Sequence, residues 1–330
     1  MTTRSDTEVA SDSGRARRRW WRAVPRALVA LAVATVIVLY AKFWFWRADI
    51  VRGLTAHSVV IQTARGPVEY ATIGNGYPAL FFHGTPGGYD QIYAATKLAI
   101  ERGQPQQLRV IAPSRPGYLR TPLSVGETPQ EQADAFEALL GKLQIDKVVV
   151  FGGSGGGPAA LRFVLQYPQR CAALVLESAI TMRLEEPPRQ SGAAAWLGSI
   201  FQTEFGRWLF GDLFLDRLQR INPADSKVRP LGEIVLRSTY PFAARDAGRI
   251  NDGKQFSQLS RWPLAQIECP TLIVHGTADT AVPFAHAQFA HEQIAGSRLE
   301  AFEGGDHFIS VTYGSRIDGL VAAFLAEHLP

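Results

Sequence analysis

Five residues, Gly152-Gly153-Ser154-Gly155-Gly156, constrain this chain more than any others because of what stands on either side of them. Before them, Val148, Val149, Val150 and Phe151 form a short apolar run rich in β-branched side chains, the pattern of a strand buried on both faces of a parallel sheet. Four glycines let the backbone reverse tightly and bring a strand end close to a helix start, since glycine carries no Cβ penalty at positive φ. Pro158 suits the first turn of the helix that follows, and Tyr167-Pro168 is where that helix should stop. Strand, G-x-S-x-G and helix together are the context required of a nucleophile elbow, with Ser154 at its tip. The rival readings are a plain Gly-rich turn and a phosphate-binding loop, but no Lys follows the glycines as a P-loop needs.

The rest of the chain supplies a sheet for that elbow. Residues 57–63 and 67–73 read as two strands joined at Arg65-Gly66, an antiparallel hairpin. Further strands are expected over 79–82, 108–112, 172–177, 270–274 and 298–302, with helices over 89–102, 129–143, 284–294 and 317–325. Thr128 is the expected N-cap of the second of these helices. Such alternation of β and α predicts a mostly parallel, doubly wound α/β sheet, with its core in residues 57–180 and 263–330. Between them, residues 181–262 lose the alternation. They carry Trp196, Phe201, Phe205, Trp208, Phe210 and Phe214 at mixed helical spacing, interrupted by Pro187-Pro188 and Asn222-Pro223, and read as an inserted helical cap. Its aromatic residues are expected to pack as core and, where they overlie a site, to line it.

Charge separates the N-terminus from everything else. The chain is +4 overall, yet residues 1–52 hold ten Lys and Arg against four Asp and Glu, so the remainder is net negative. That distribution leaves nucleic-acid binding without an electrostatic footprint on the folded part. Residues 1–26 read as a disordered basic tail, and 27–46 as an apolar stretch of about twenty residues, long enough to cross a hydrocarbon core as a transmembrane helix. Pro25 is placed at or just before the first turn of that helix. Tyr40, Phe43, Trp44, Phe45 and Trp46 would form an aromatic belt at one interface, with Trp20 and Trp21 near the other. A cleaved signal peptide is the rival, but the run is long for one and no A-x-A-like site closes it. Arginines 15, 17, 18, 19, 22 and 26 outweigh Lys42, Arg47 and Arg52, so the expected topology is a single-pass signal anchor with a cytoplasmic N-terminus and an extracytoplasmic domain.

Chemistry-bearing residues cluster where strands end. After residues 79–82 comes His83-Gly84-Thr85-Pro86-Gly87-Gly88, a loop able to present backbone N–H groups to an anion; Thr85 and Gly155 are the candidate oxyanion donors, and a tight structural turn is the alternative. His83 reads as structural. Asp279 follows one late strand and His307 the next, on the edge where α/β sheets place their chemistry. Glu177 at another strand end and Asp306 beside His307 are rival acids. His57, His275, His286, His291 and His328 sit in no constellation with metal spacing and read as structural or solvated.

Taken in order, HGTPGG, SRPGY, GGSGG, HGTADTAVP and GGDH over residues 57–330 resemble the α/β-hydrolase fold superfamily, in its capped branch of esterase-like and peptidase-like enzymes. The resemblance implies Ser154 as nucleophile, His307 as base, Asp279 as the acid that orients it, and Thr85 with Gly155 as oxyanion donors, in the chain order of that superfamily's triad and without a cofactor. Related members often continue R-P-G-Y with Gly-x-Ser, whereas Leu119-Arg120-Thr121 stands here. Serine at 154 disfavours the epoxide hydrolases and haloalkane dehalogenases, which the resemblance implies would carry Asp there. The expected function is a membrane-anchored serine hydrolase acting on a small-molecule or lipid-like acyl substrate. Peptidase or amidase, C–C bond hydrolase, acyltransferase and cofactor-free perhydrolase chemistry use similar parts, and a catalytically silent binding or signalling module on the same fold is the alternative from another class.

Overall fold

Alternate side chains along each central strand turn to opposite faces of the sheet, and here both faces are covered. The computed structural model describes residues 8–102, 108–185, 199–200 and 202–329, with side chains from Arg26 onward. It divides into two units, Met1–Asp49 and Ile50–Pro330. The described residues of the first all lie in one helix, α1 (Glu8–Gly53). Its apolar part, Arg26–Gly53, has 28 residues, which at 1.5 Å per residue reach about 42 Å, more than the ~30 Å of a hydrocarbon core. Leu28, Leu31, Val36 and Ile37 on it are all exposed. By length and composition this stretch suits a membrane anchor or a signal sequence. The helix begins well ahead of Pro25, where the sequence had placed its start, and residues 8–26 carry helical backbone in place of the expected disorder. Ala, Arg and Glu in that stretch favour a helix, and a proline removes only one interior hydrogen bond. The side chains of Trp20, Trp21 and the arginines up to Arg22 lie outside the described residues.

In the second unit, β1 (Val59–Thr63) and β2 (Gly66–Ile73) form the expected hairpin, with Thr63 opposite Gly66. Then follow β3 (Tyr77–Phe82), α2 (Tyr89–Glu101), β4 (Leu108–Pro113), α3 (Pro129–Lys142), β5 (Val148–Gly153), α4 (Gly157–Gln166) and β6 (Cys171–Glu177). Among the described residues after β6 are the helices α5 (Glu204–Leu209), α6 (Gly211–Ile221), α7 (Val228–Arg237) and α8 (Asp246–Gln258). The chain ends with β7 (Thr271–Gly276), α9 (Ala285–Gln293), β8 (Arg298–Phe302), α10 (Ile309–Thr312) and α11 (Gly314–His328). Pro187-Pro188, Trp196 and Phe201 of the insertion lie outside the described residues.

The strand order is β1-β2-β4-β3-β5-β6-β7-β8, antiparallel at the β1-β2-β4 edge and parallel from β4 to β8. Val148, Val150, Leu80, Phe82, Leu174 and Leu176 pack on one face with Phe136 and Leu139 of α3 and Phe163 of α4. Val149, Ala79, Ala173 and Val175 pack on the other with Ile317, Phe324 and Leu325 of α11. That two-sided burial is why the central strands read as unbroken apolar runs. Helix α3 starts where the sequence placed it: Thr128 Oγ1 accepts from Glu131 N at 3.2 Å while the Glu131 carboxylate accepts from Thr128 N at 3.0 Å.

Because β4 lies outside β3, the chain moves outward through α2 and then crosses back to place β5 against β3, with Phe82 opposite Gly152. Such a reversal opens a crevice at the carboxyl ends of the two strands. The 83–88 loop and Ser154 are the residues that border it.

Candidate active site

Ser154 has φ of +48°, in the left-handed region that a non-glycine residue occupies only when its surroundings force it. The forcing contact is next door. A Cβ on Gly156 would stand 2.0 Å from the Phe82 carbonyl oxygen, so only glycine lets the β5–α4 turn press against the end of β3. The turn lifts the serine hydroxyl to 2.9 Å from His307 Nε2. On the far side of the ring, His307 Nδ1 lies 2.7 Å from Asp279 Oδ2.

Asp279 is 6% exposed and well supported. Its Oδ1 accepts from Ala281 N at 2.8 Å and Val282 N at 2.9 Å, while His275 Nε2 lies 3.2 Å from Oδ2 and 2.8 Å from the Val282 carbonyl. Burial raises its pKa, but hydrogen bonds from His275 and His307, the positive field of His307 and the Val282 N–H outweigh burial and hold the carboxyl below the ordinary carboxylate range. His275, read from the sequence as structural or solvated, is fully buried and braces this carboxylate.

The rival acids are occupied elsewhere. Glu177 ends β6 in the wall of the neighbouring cavity, its pKa raised by burial, with Ser310 as a hydrogen-bonding partner that partly offsets the rise. Asp306 bonds Arg217 at 3.1 Å and accepts from Phe308 N at 3.0 Å.

Thr85 and Gly155 are brought together beside the serine. A Cβ on Gly155 would come within 2.2 Å of Thr85 Oγ1, and one on Gly84 within 3.0 Å of Ser154 Cβ. The Thr85 hydroxyl is already committed: it donates its proton to Asp252 and accepts from Arg115 Nη2 at 3.2 Å. His83 is structural. Its Nε2 accepts from Arg115 N at 2.8 Å, its Nδ1 donates to Gly84 O at 2.8 Å, and burial followed by the Arg115 charge keeps it neutral by lowering its pKa well below the usual imidazole value.

A cavity of about 970 Å³ opens beside Ser154 and His307. Phe81, Phe151, Phe210, Phe214, Val235 and Leu325 give it apolar walls from the sheet, the insertion and α11. Among the described residues, no three His, Cys, Asp or Glu side chains are placed to hold a metal ion.

A hydroxyl bonded to an imidazole, itself bonded to a buried carboxylate, can lose its proton to the ring as it attacks an acyl carbon. Mounted on a strand-to-helix elbow at the carboxyl edge of a parallel sheet, that arrangement defines a class of enzymes with a serine at the topological switch point. The chain belongs to the alpha/beta hydrolase fold family, which it matches over residues 77–312, and it is a hydrolase of that fold. It is 30% identical to an alpha/beta hydrolase fold protein from Nakamurella multipartita, whose structure superposes with a TM-score of 0.68 over 81% of this chain and 98% of that one. The uncharacterized hydrolase YcgS of Bacillus subtilis (strain 168) is 29% identical over 261 residues, covering 74% of this chain and 89% of its own. Serine hydrolase BPHL of Mus musculus is 29% identical over 219 residues, 63% of this chain and 66% of its own.

The sequence missed two side chains that shape this site, Asp252 and Arg245. Both are buried charges on or just before α8, at 2% and 1% exposure. Arg245 donates to Gly87 O at 2.7 Å and to Asp90 Oδ2 at 2.6 Å.

Proposed function

We propose that this chain is a serine hydrolase of carboxylic esters with an apolar acyl group. Ser154 attacks the ester carbonyl while His307 Nε2 takes its proton. The tetrahedral intermediate places its negative oxygen against the backbone N–H groups of Thr85 and Gly155. His307 then protonates the leaving alkoxide as the C–O bond breaks, leaving Ser154 acylated. Water repeats the sequence, giving its proton to His307 and releasing the acid. Asp279 keeps the ring in the tautomer that accepts at Nε2 and stabilises the imidazolium between these steps. No cofactor enters the cycle.

The observation that carries the reading is the unbroken line Ser154–His307–Asp279, at 2.9 and 2.7 Å. The apolar cavity supports a small-molecule or lipid-like acyl substrate, with the inserted helices as its cap. In this reading α1 anchors the enzyme to a membrane, with the arginine-rich end cytoplasmic and the hydrolase outside.

Labelling with a fluorophosphonate probe, followed by turnover of p-nitrophenyl esters of graded acyl length, tests the chemistry. The expected result is a single label on Ser154 and kcat/KM that rises with chain length before it falls. Absence of the label on folded protein rejects the mechanism. A reporter fused after Pro330 should be active only outside the cytoplasm, and activity inside would reverse the topology.

A further inference from the structure

The loop that carries Thr85 is gripped at both ends by buried charges from distant parts of the chain. At one end, Asp252 of α8 accepts from Arg115 Nη1 at 2.9 Å and Nη2 at 2.6 Å, from the Tyr118 hydroxyl at 2.5 Å, and from Thr85 Oγ1. Of these four donors one reaches Oδ1 and three reach Oδ2, the oxygen that Thr85 shares with Arg115 and Tyr118. Burial and then the Asp252 charge push the Tyr118 phenol above its ordinary pKa, so it remains a donor. Arg115 reaches past Asp252 and donates Nε to His83 O at 2.8 Å. At the other end, Arg245 holds Gly87 O and the Asp90 carboxylate at the start of α2.

Helix α8 cannot shift away from these partners without breaking close backbone contacts. Gly248 N donates to Gly117 O at 2.9 Å, and a Cβ on Gly248 would stand 2.2 Å from the Tyr118 ring. A threonine whose proton goes to a buried carboxylate already held by Arg115 and Tyr118 on such a helix has a fixed side-chain direction, and its backbone is restrained with it.

We propose that Asp252 is a positioning residue for the oxyanion hole: its bond with Thr85 Oγ1 sets the direction of the Thr85 N–H beside Gly155. The inserted helix α8 is then a fixed part of the catalytic wall as well as a cover. The proposal rests on the reading of Ser154 as nucleophile. An oxyanion donor contributes because it is aimed before charge develops, and a donor free to turn loses that advantage at every turnover. Ground-state binding in the apolar cavity does not use this bond. The effect therefore falls on kcat and on transition-state affinity, with KM spared.

The test uses the full-length protein with Thr85→Val, which removes the hydroxyl at constant shape, Thr85→Ser, which keeps it, Asp252→Asn, and the Thr85→Val/Asp252→Asn pair. Turnover of p-nitrophenyl butyrate and inhibition by a trifluoromethyl ketone, whose hemiketal oxyanion occupies the same hole, are measured on folded protein. Thr85→Val is expected to lower kcat about 10- to 100-fold, less than the ~10²- to 10³-fold of deleting a donor outright, with KM changed less than about threefold and the ketone weakened in parallel. Thr85→Ser regains most of the rate. The double variant is slower than the slower single by no more than about threefold, since both remove one bond. Thr85→Val with wild-type kcat, Thr85→Ser as slow as Thr85→Val, or effects that multiply would overturn the assignment. Thr85→Val leaves the Arg115–Asp252 pair whole, so it decides the matter even where Asp252→Asn fails to fold. Wild-type protein that neither labels at Ser154 nor turns over esters removes the hydrolase reading and this proposal with it; active wild type with an unaffected Thr85→Val removes the positioning alone.

Discussion

Two sets of hydrogen bonds meet at the carboxyl ends of β3 and β5, and they are built in opposite ways. The line Ser154–His307–Asp279 joins the ends of β5, β8 and β7, each residue delivered by the turn that follows its own strand. The cluster around Asp252 joins a loop after β3, a loop after β4 and a helix of the insertion, over sequence separations of 137 and 167 residues. One set lies beside the cavity and, in the proposed cycle, changes protonation; in the other the Arg115, Tyr118 and Asp252 side chains are buried, and only Thr85 reaches the cavity wall. Burying the first as deeply would deny it substrate, and exposing the second would let water compete for each of its donors.

The sharpest break of this comparison is chemical. Ser154→Ala and His307→Ala should each lower kcat by about 10⁴- to 10⁶-fold on an ester substrate, because members of such a line act as a unit. Retention of more than about a tenth of wild-type turnover would place the reaction elsewhere. Asp279→Asn comes next, with a loss of about 10³- to 10⁴-fold in kcat from the wrong tautomer of His307. Turnover near the wild-type rate would hand the orienting role to Glu177, a carboxyl of the cavity wall at the end of β6.

Arg115→Met probes the sealed set. It leaves Asp252 buried without its cation and should cost about 3–5 kcal/mol in urea unfolding, as expected for one partner removed from a buried pair. A loss under about 1 kcal/mol would mean the pair is no more than a surface bridge. The smallest effect is expected at the opposite edge of the sheet, where Cys171 and Cys269 stand at the starts of β6 and β7 with their sulfurs 3.3 Å apart. The hydrogen bond with Cys269, then burial, pushes the Cys171 thiol up, which makes it a poor nucleophile. Replacing both with Ala should leave kcat within about twofold, since distant sites act independently. A larger loss in kcat would show that the two edges are coupled.

The difference between the two sets also explains what the sequence disclosed. The elbow was legible because its causes are local: a β-branched strand, glycines and a helix start within twenty residues. Asp279 and His307 were legible because a strand end is a visible position. Asp252 gave no such signal, since on α8 it looks like any polar residue of a solvated face, and its burial is created by partners far away in the chain. Arg115 was visible inside S-R-P-G-Y only as part of a turn, although it is 1% exposed. His275 read as structural or solvated because a spacing of four residues in a loop does not by itself show that Asp279 folds back onto its ring. At the N-terminus, Pro25 suggested a helix start because proline suits a first helical turn, and the helix-favouring residues before it carried the helix through.

Strands β6 and β7 are neighbours, with Glu177 opposite Val274, so the chain that departs after one strand comes home to the adjacent slot. An excursion whose ends already touch can be lengthened or exchanged at small entropic cost, because each doubling of such a loop adds only about 0.6 kcal/mol. The freedom is uneven along its course. From Tyr240, whose carbonyl receives Arg245 at 2.9 Å, through Asp252, the chain is tied to the sheet's own loops, whereas Phe210, Phe214, Leu231, Ile234 and Val235 of the stretch from α5 to α7 line the cavity ahead of that point. A chimera that takes its substrate preference from another enzyme should therefore be spliced before Tyr240, keeping α8 with the scaffold it serves.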